Sequence, residues 1–231
     1  MLTTIHTILA IDTSWKHGSL ALACGDAEDF ELLETAFLTG GAFSAELVPQ
    51  IAAALARHNV QKQSIDGFAV VSGPGSFTGL RVGLVAIKGL AEVLKKPIVV
   101  VSVLEALAIA SGTSGRVFAA LDAQRGEVFL GKYEVNPETL QATSLQEESL
   151  LTREALLAAL PTGATVVTPD ASIAGLAPAG VAVVQIKRPG ADTIARIGLR
   201  KVLAGQTVSA DALDANYVRR SDAEIFSTSS S

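Results

Sequence analysis

Two aspartates are the first residues that could do chemistry. Asp12 closes the apolar run at 7–12 (TILAID), and Asp122 closes a similar run at 116–122 (RVFAALD). Small residues follow each one, Thr13-Ser14 and Ala123-Gln124. Two strand-end carboxylates facing one another across a cleft, with Ser14 beside them, could hold a Mg²⁺-nucleotide. The same side chains could instead bond the amides of their own turns. The second candidate is residues 73–83 (GPGSFTGLRVG), where Gly73 and Gly75 lead from an apolar segment into a helical pattern. A strand, a glycine loop and a helix start together present amides and a positive dipole end to an anion. The run lacks Gly-Lys-[Ser/Thr] and spaces its glycines at 73, 75 and 79, so it is neither a Walker loop nor a dinucleotide fingerprint. Gly79, Gly83 and Ala86 also line one helix face with small side chains, which suits close packing as well as it suits an anion.

Hydrolytic chemistry finds little support. His6, His17 and His58 are scattered without zinc-ligand spacing, and there is no Gly-x-Ser-x-Gly elbow. Cys24 lies inside an apolar segment with no histidine near it in sequence, so it reads as a core residue rather than a nucleophile. As the single cysteine it forms no internal disulfide, which fits a reducing cytoplasm.

The elements that must position these residues can be read from periodicity. The run ending at Asp12 is a strand, and 19–24 and 30–38 continue as two more. Ser44 offers a helix N-cap, with Leu47, Ile51 and Leu55 at i, i+4 and i+8; Pro49 fits the first turn if the helix begins near Glu46. Residues 66–72 form a strand that enters the glycine loop, and Phe77, Leu80, Leu84, Ile87, Leu90, Ala91 and Leu94 mark a long helix. Pro97 ends it before an apolar strand at 98–101. About 110 residues on, the plan recurs: strand 116–122, a turn at Gln124-Arg125-Gly126, strand 127–133, a third strand over 143–151, helix 153–160 and strand 163–168. The fold class is therefore α/β with two lobes, 1–110 and a smaller 111–231. In the second, 171–182 is a weak helix with loops, 191–203 a helix, and 227–231 a frayed end.

Composition sets outer limits. The chain has 231 residues, 49% hydrophobic and only 5% aromatic, so its apolar mass is aliphatic and small. Mean hydropathy is +0.41, yet the richest stretch, 97–110, is too short to span a bilayer and holds Ser102 and Glu105. No signal-peptide pattern opens the chain, so no membrane role is expected and part of the hydrophobicity belongs to a contact surface. A net charge of −5 argues against a stand-alone nucleic-acid binder. Asp26, Glu28, Asp29, Glu31 and Glu34 form an acidic stretch, and basic residues gather between Lys187 and Arg220; both read as solvated faces or as patches for partners of opposite sign.

The segments Ile11-Asp12-Thr13-Ser14, 73–83, Lys88-Gly89-Leu90-Ala91, 101–108 (VSVLEALA) and 122–128 (DAQRGEV) resemble the TsaB family, the non-catalytic subunits of the bacterial machinery for threonylcarbamoyladenosine in tRNA. The likeness is dense from Ile8 to about Tyr133, and Asn216-Tyr217-Val218-Arg219-Arg220 carries it more weakly. It implies an actin-like ASKHA fold of duplicated ribonuclease-H-like lobes, the second reduced. It implies a catalytic TsaD-type partner, a TsaE-type ATPase, a homodimer when alone, and contact with tRNA only through the complex. TsaC-type enzymes would supply the adenylate. No catalytic or metal-binding role falls on this chain, and it has no cofactor of its own; ATP or ADP would lie at the joint with the partner. The nucleotide-binding candidates are Asp12, Ser14, Gly73, Gly75 and Asp122. The partner-binding residues implied are Leu47, Ile51, Leu55, Leu80, Arg81, Leu84 and Ile87 on two helices.

The chain departs from relatives in telling places. TsaD-like enzymes hold metal through His-x-x-x-His, and the matching positions here are Phe43 and Leu47, which offer no donor. Ala215 stands where many relatives have Pro, and Gln124 where Arg is usual. The competing expectation is an ASKHA-type ATPase or kinase, or a glycoprotease-like hydrolase. A third is direct tRNA binding through Arg219 and Arg220, which the net charge disfavours.

Overall fold

The computed structural model describes residues 4–214, 216 and 218. The expectations attached to Ala215, Tyr217, Arg219, Arg220 and the serine-rich end fall outside the described residues.

Three antiparallel strands open the chain: β1 (His6–Asp12), β2 (Gly18–Gly25) and β3 (Phe30–Leu38). Helix α1 (Phe43–Arg57) then leads to β4 (Gly67–Gly73), which runs parallel to β1. Helix α2 (Phe77–Leu94) leads to β5 (Ile98–Ser102), parallel to β4. The resulting sheet has the order β3-β2-β1-β4-β5. Ser76 caps α2, its Oγ accepting the amide of Gly79 at 3.3 Å, and Lys95 closes the helix in the left-handed region.

The chain passes to a second sheet through α3 (Val103–Ala110), an apolar helix. There β6 (Gly115–Gln124) and β7 (Glu127–Asn136) pair antiparallel. β8 (Gln141–Ser144) and β9 (Ser149–Thr152) both add to β7. Helix α4 (Arg153–Ala159), β10 (Thr165–Thr168), α5 (Ala171–Ala174), β11 (Ala182–Gln185) and α6 (Ala191–Leu203) complete it. β10 lies parallel to β6 and β11 parallel to β10, so the order β8-β7-β6-β10-β11 repeats that of the first sheet, with β9 as a sixth strand on β7. This is the duplicated actin-like arrangement, with the eighteen-residue α2 shrunk to the four-residue α5 in the second copy.

The last helix of each copy crosses over. α3 leaves the first sheet and packs on β6 and β7, while α6 leaves the second and packs on β1, β2 and β4, so the two lie between the sheets. Both sheets and both helices share one apolar core. A smaller cluster under α4 and α5 seals the far side of the second sheet.

Two expected elements need correction. α1 begins at Phe43, not near Glu46; Ala42 precedes it without a side-chain cap, and Pro49 lies inside the helix. Burial decides this, since the Phe43 ring packs so closely on Gly18 that a Cβ there would sit 2.9 Å from Cε1. Pro49 lies on the solvent-exposed side of the helix. The expected strand over 143–151 is broken in two, because residues 145–148 turn away and send Glu148 into the interior.

The start of α2 is locked onto the end of β1. A Cβ on Gly79 would lie 2.0 Å from the Thr13 carbonyl oxygen, and one on Gly83 would lie 2.4 Å from Thr13 Oγ1. Alanine ordinarily strengthens a helix relative to glycine. At this position the sign reverses: Gly79→Ala is expected to cost about 3 kcal/mol, read as a fall in the urea midpoint at unchanged m-value.

Candidate functional site

The carboxyl ends of the parallel strands meet at a seam between the sheets, where open α/β folds bind ligands. Asp12 ends β1 and is buried. Its Oδ1 accepts the Ser14 amide at 2.8 Å and the Ser14 hydroxyl at 2.5 Å. Asp122 is placed differently: its Oδ1 accepts the Gln124 amide at 3.0 Å, and its own amide donates to Asp170 Oδ2 at 2.8 Å. Each aspartate thus closes its own turn, and the carboxylate that shares a cation with Asp12 is Asp170.

That cation is Arg188, from the segment joining β11 to α6. Its Nη2 donates to Ser14 Oγ at 3.0 Å, and its guanidinium lies over the Trp15 ring, 4.9 Å from the centroid. Burial pulls the guanidinium below its ordinary pKa, and the charges of Asp12 and Asp170 oppose that shift. Its Nε is enclosed and has no hydrogen-bond partner among the described residues.

The glycine loop is likewise engaged by the chain itself. The Ser76 amide donates to the Ser14 carbonyl at 2.8 Å, and a Cβ on Gly75 would lie 2.3 Å from that same oxygen. Over Gly73, whose φ is +138°, the Asn216 carbonyl stands 2.6 Å from where a Cβ would be, and the Asn216 amide donates to the Ser72 carbonyl at 2.9 Å. Close packing therefore accounts for the small residues of the loop, and its groups do not form an open phosphate cradle. The positions matched to metal ligands, Phe43 and Leu47, are core side chains without donor atoms and do not fit a metal.

A polar cluster with no motif of its own in the sequence also lies at the seam. Glu148 accepts hydrogen bonds from the Ser102 hydroxyl, the Tyr133 hydroxyl and, at 2.7 Å, Asn216 Nδ2. Burial raises the Glu148 pKa; the three donors work against that rise, and Glu105 adds to it. Tyr133 is also pushed up, by burial first and then by the Glu148 charge. Lys201 Nζ holds Glu105 at 2.7 Å nearby. Glu148 stands in the triplet Gln146-Glu147-Glu148, which by composition reads as a solvated loop, and Arg188 stood out only as one of several basic residues.

The third feature is the outer face of α1 and α2. Leu47, Ile51, Leu55, Leu80, Leu84 and Ile87, expected to meet a partner, are buried in the chain's own core, because the sheet claims that stripe of each helix. The adjacent stripe is the one presented. Val48, Val85 and Val93 are 57%, 70% and 77% exposed. Between the helices runs a groove of about 440 Å³ floored by Leu47 and lined by Ser44, Val48, Arg81, Val82, Val85 and Ala86. Arg81 is exposed and stacks on Phe77 at 3.9 Å.

Residues 38–206 match the family described as TsaD, tRNA N6-adenosine threonylcarbamoyltransferase. The chain is 37% identical over 130 residues to the tRNA threonylcarbamoyladenosine biosynthesis protein TsaB of Bacillus subtilis, covering 55% of each chain. It is 35% identical over 129 residues to TsaB of Haemophilus influenzae, covering 54% of this chain and 53% of the other. The matched stretch thus spans about half the length of these curated relatives. Among solved structures, a Pseudomonas aeruginosa protein described as similar to peptidase YeaZ superposes with a TM-score of 0.76 at 26% identity, covering 93% of this chain and 100% of that one.

The Glu148 cluster makes a pH-dependent stability expected. A carboxyl whose pKa is higher folded than unfolded keeps its proton longer in the native state. Its contribution is therefore fully present below the ordinary carboxylate range and declines as pH rises through the raised value. Against Glu148→Gln, which cannot ionise, the native chain should lose melting temperature over that window, and the two curves should run parallel below it.

Proposed function

The chain belongs to the TsaD family, tRNA N6-adenosine threonylcarbamoyltransferase, and from that premise we propose that it is a TsaB-type accessory subunit rather than the transferase itself. The observation that carries this reading is the exposed aliphatic face of α1 and α2, where Val48, Val85 and Val93 are each more than half exposed. An apolar two-helix face with a central groove suits a stable partner surface. The partner is a catalytic TsaD-type subunit, ordered by helix–helix burial against this face. A TsaE-type ATPase joins the pair, the isolated chain pairs with its own copy through the same helices, and tRNA is reached only through the complex.

The chemistry assigned to this chain is correspondingly modest. Asp12 and Ser14 hold the β1 turn against α2, and Arg188 ties that turn to the second lobe. The absence of donor side chains at Phe43 and Leu47 supports leaving the transfer step to the partner. ATP or ADP, where one takes part, would lie at the joint between the subunits, since the loop at Gly73 and Gly75 is filled by Ser14 and Asn216.

Val85→Glu places a charge at the centre of the face without touching the core. It is expected to weaken binding to a TsaD-type partner by at least about 30-fold and to abolish threonylcarbamoyladenosine formation in a reconstituted assay, with the melting temperature of the isolated chain unchanged. Partner binding and tRNA modification at native levels in that variant would sink the reading. So would steady ATP turnover by the isolated chain that is lost in Asp12→Asn, which would favour an ATPase.

A further inference from the structure

A half-open cavity of about 200 Å³ lies between the lobes, at the end remote from the Asp12 seam. Helix α6 shows which end this is. It starts beside the carboxyl end of β1, where the Ala191 amide donates to Ser19 Oγ at 3.0 Å and Ser19 pairs with Asp12. It finishes beside the amino end of β4, where a Cβ on Gly67 would lie 2.9 Å from Val202 Cγ2. From Ala191 to Lys201 the helix rises about 15 Å, so the cavity is separate from the Arg188 seam. Glu105 of α3, Arg200 and Lys201 of α6, and Gln206 just beyond line it from between the sheets. Gln141 and Thr143 of β8 line it from the second lobe.

The charged groups of this cavity are not engaged alike. Lys201 Nζ has three protons, which meet Glu105 Oε1 at 2.7 Å, Glu105 Oε2 at 2.8 Å and the Val100 carbonyl at 3.3 Å. That pair is a neutral, saturated wall. Arg200 differs, since Nη1 donates to the Ala27 carbonyl and its other N–H groups have no partner among the described residues. Asp26 feels this charge, but its Oδ1 accepts the amides of Glu28 and Asp29 at 2.8 and 2.9 Å. The Thr143 hydroxyl and the Gln206 amide also have no partner among the described residues. A half-buried guanidinium with open donors, in a lining of two cations and one carboxylate, has the chemistry to hold an oxyanion. We propose that this cavity binds a small organic anion, a carboxylate or a phosphate ester of about ten non-hydrogen atoms or fewer. Arg200 holds the anionic group, and Thr143 and Gln206 meet the other polar atoms. Volume sets the size limit, because a cavity of about 150 Å³ holds benzene and drug-sized sites begin near about 300 Å³.

The test titrates the full isolated chain with inorganic phosphate and, separately, with acetate at constant ionic strength, read by backbone amide NMR shifts. Saturable shifts are expected at 141–143 and 200–206 with at least one of the two anions. A response to phosphate alone assigns a phosphate group, and a response to acetate alone assigns a carboxylate. Arg200→Gln should weaken binding at least about tenfold, and Thr143→Val about threefold. Shifts that fail to saturate with either anion would overturn the proposal. So would saturation centred on Arg188 and Ala191, which would place the anion at the other seam. Native affinity in Arg200→Gln would overturn it as well. Should that variant lose its fold, Thr143→Val, a change to an exposed side chain, decides in its place, and native affinity there is equally fatal. The accessory-subunit reading stands apart from every one of these outcomes.

Discussion

The rest of the molecule depends on the approach of Thr13 to the first turns of α2. The Thr13 carbonyl occupies the space a side chain at position 79 would need, and Thr13 Oγ1 donates to the Gly79 carbonyl at 2.7 Å. With the Ser76 amide bonded to Ser14, the end of β1 and the start of α2 behave as one unit. An eighteen-residue helix fixed at its start has every later side chain fixed in direction. Leu80, Leu84 and Ile87 must point at the sheet, and Val85, Gly89 and Val93 must point away. The direction of the exposed stripe is thus a consequence of backbone packing at Gly79 and Gly83.

The seam obeys a related constraint. Taking a guanidinium out of water costs several kcal/mol unless charge and hydrogen bonds offset it. Arg188 meets that condition by lying between Asp12 of one lobe and Asp170 of the other, with Ser14 and the Trp15 face as further contacts. Glu148 is held on the same principle, with donors arriving from β5, β7 and Asn216. Both clusters join groups from different parts of the duplicated fold, so each resists separation of the lobes. Where open α/β sheets leave a crevice for a ligand, this chain sets its own charged side chains against one another.

Much of this was legible in the sequence because it follows from periodicity. Strands β1 to β3, helix α2 and helix α6 lie where alternating and three-to-four spacing place them, and the two sheets repeat one order. Elements fixed by distant contacts were not legible. The start of α1 is set by the Phe43 ring against Gly18, which outweighs the cap at Ser44. Residues 145–148 leave the sheet because Glu148 has partners 46 and 15 residues away in sequence. On α1 and α2 the spacing picked out the stripe that faces the sheet, and the exposed valines lie on the stripe beside it. Leu80, Leu84 and Ile87 fit an apolar pattern whether the apolar neighbour is a sheet or a partner, and only the position of β4 decides between them.

The aliphatic composition follows from the same geometry. Among the described residues no helix is long and apolar enough to cross a membrane. The richest apolar stretch becomes β5 and α3, and α3 is enclosed by sheet and helix, so it is apolar on nearly every side. A helix pressed between two sheets needs small side chains wherever it meets a strand, as Gly198 of α6 shows, where a Cβ would come 2.6 Å from the Ala69 Cβ. Bulky aromatic rings would hold the layers apart, and they make up 5% of the chain. The outer face of α1 and α2 uses the same alphabet of Val, Ala and Gly without any sheet to cover it. Among the described residues, side chains suited to close helix packing are thus displayed at the one helix pair that no sheet or helix layer covers, for the same reason that the enclosed helices carry them: small aliphatic groups let helices approach closely.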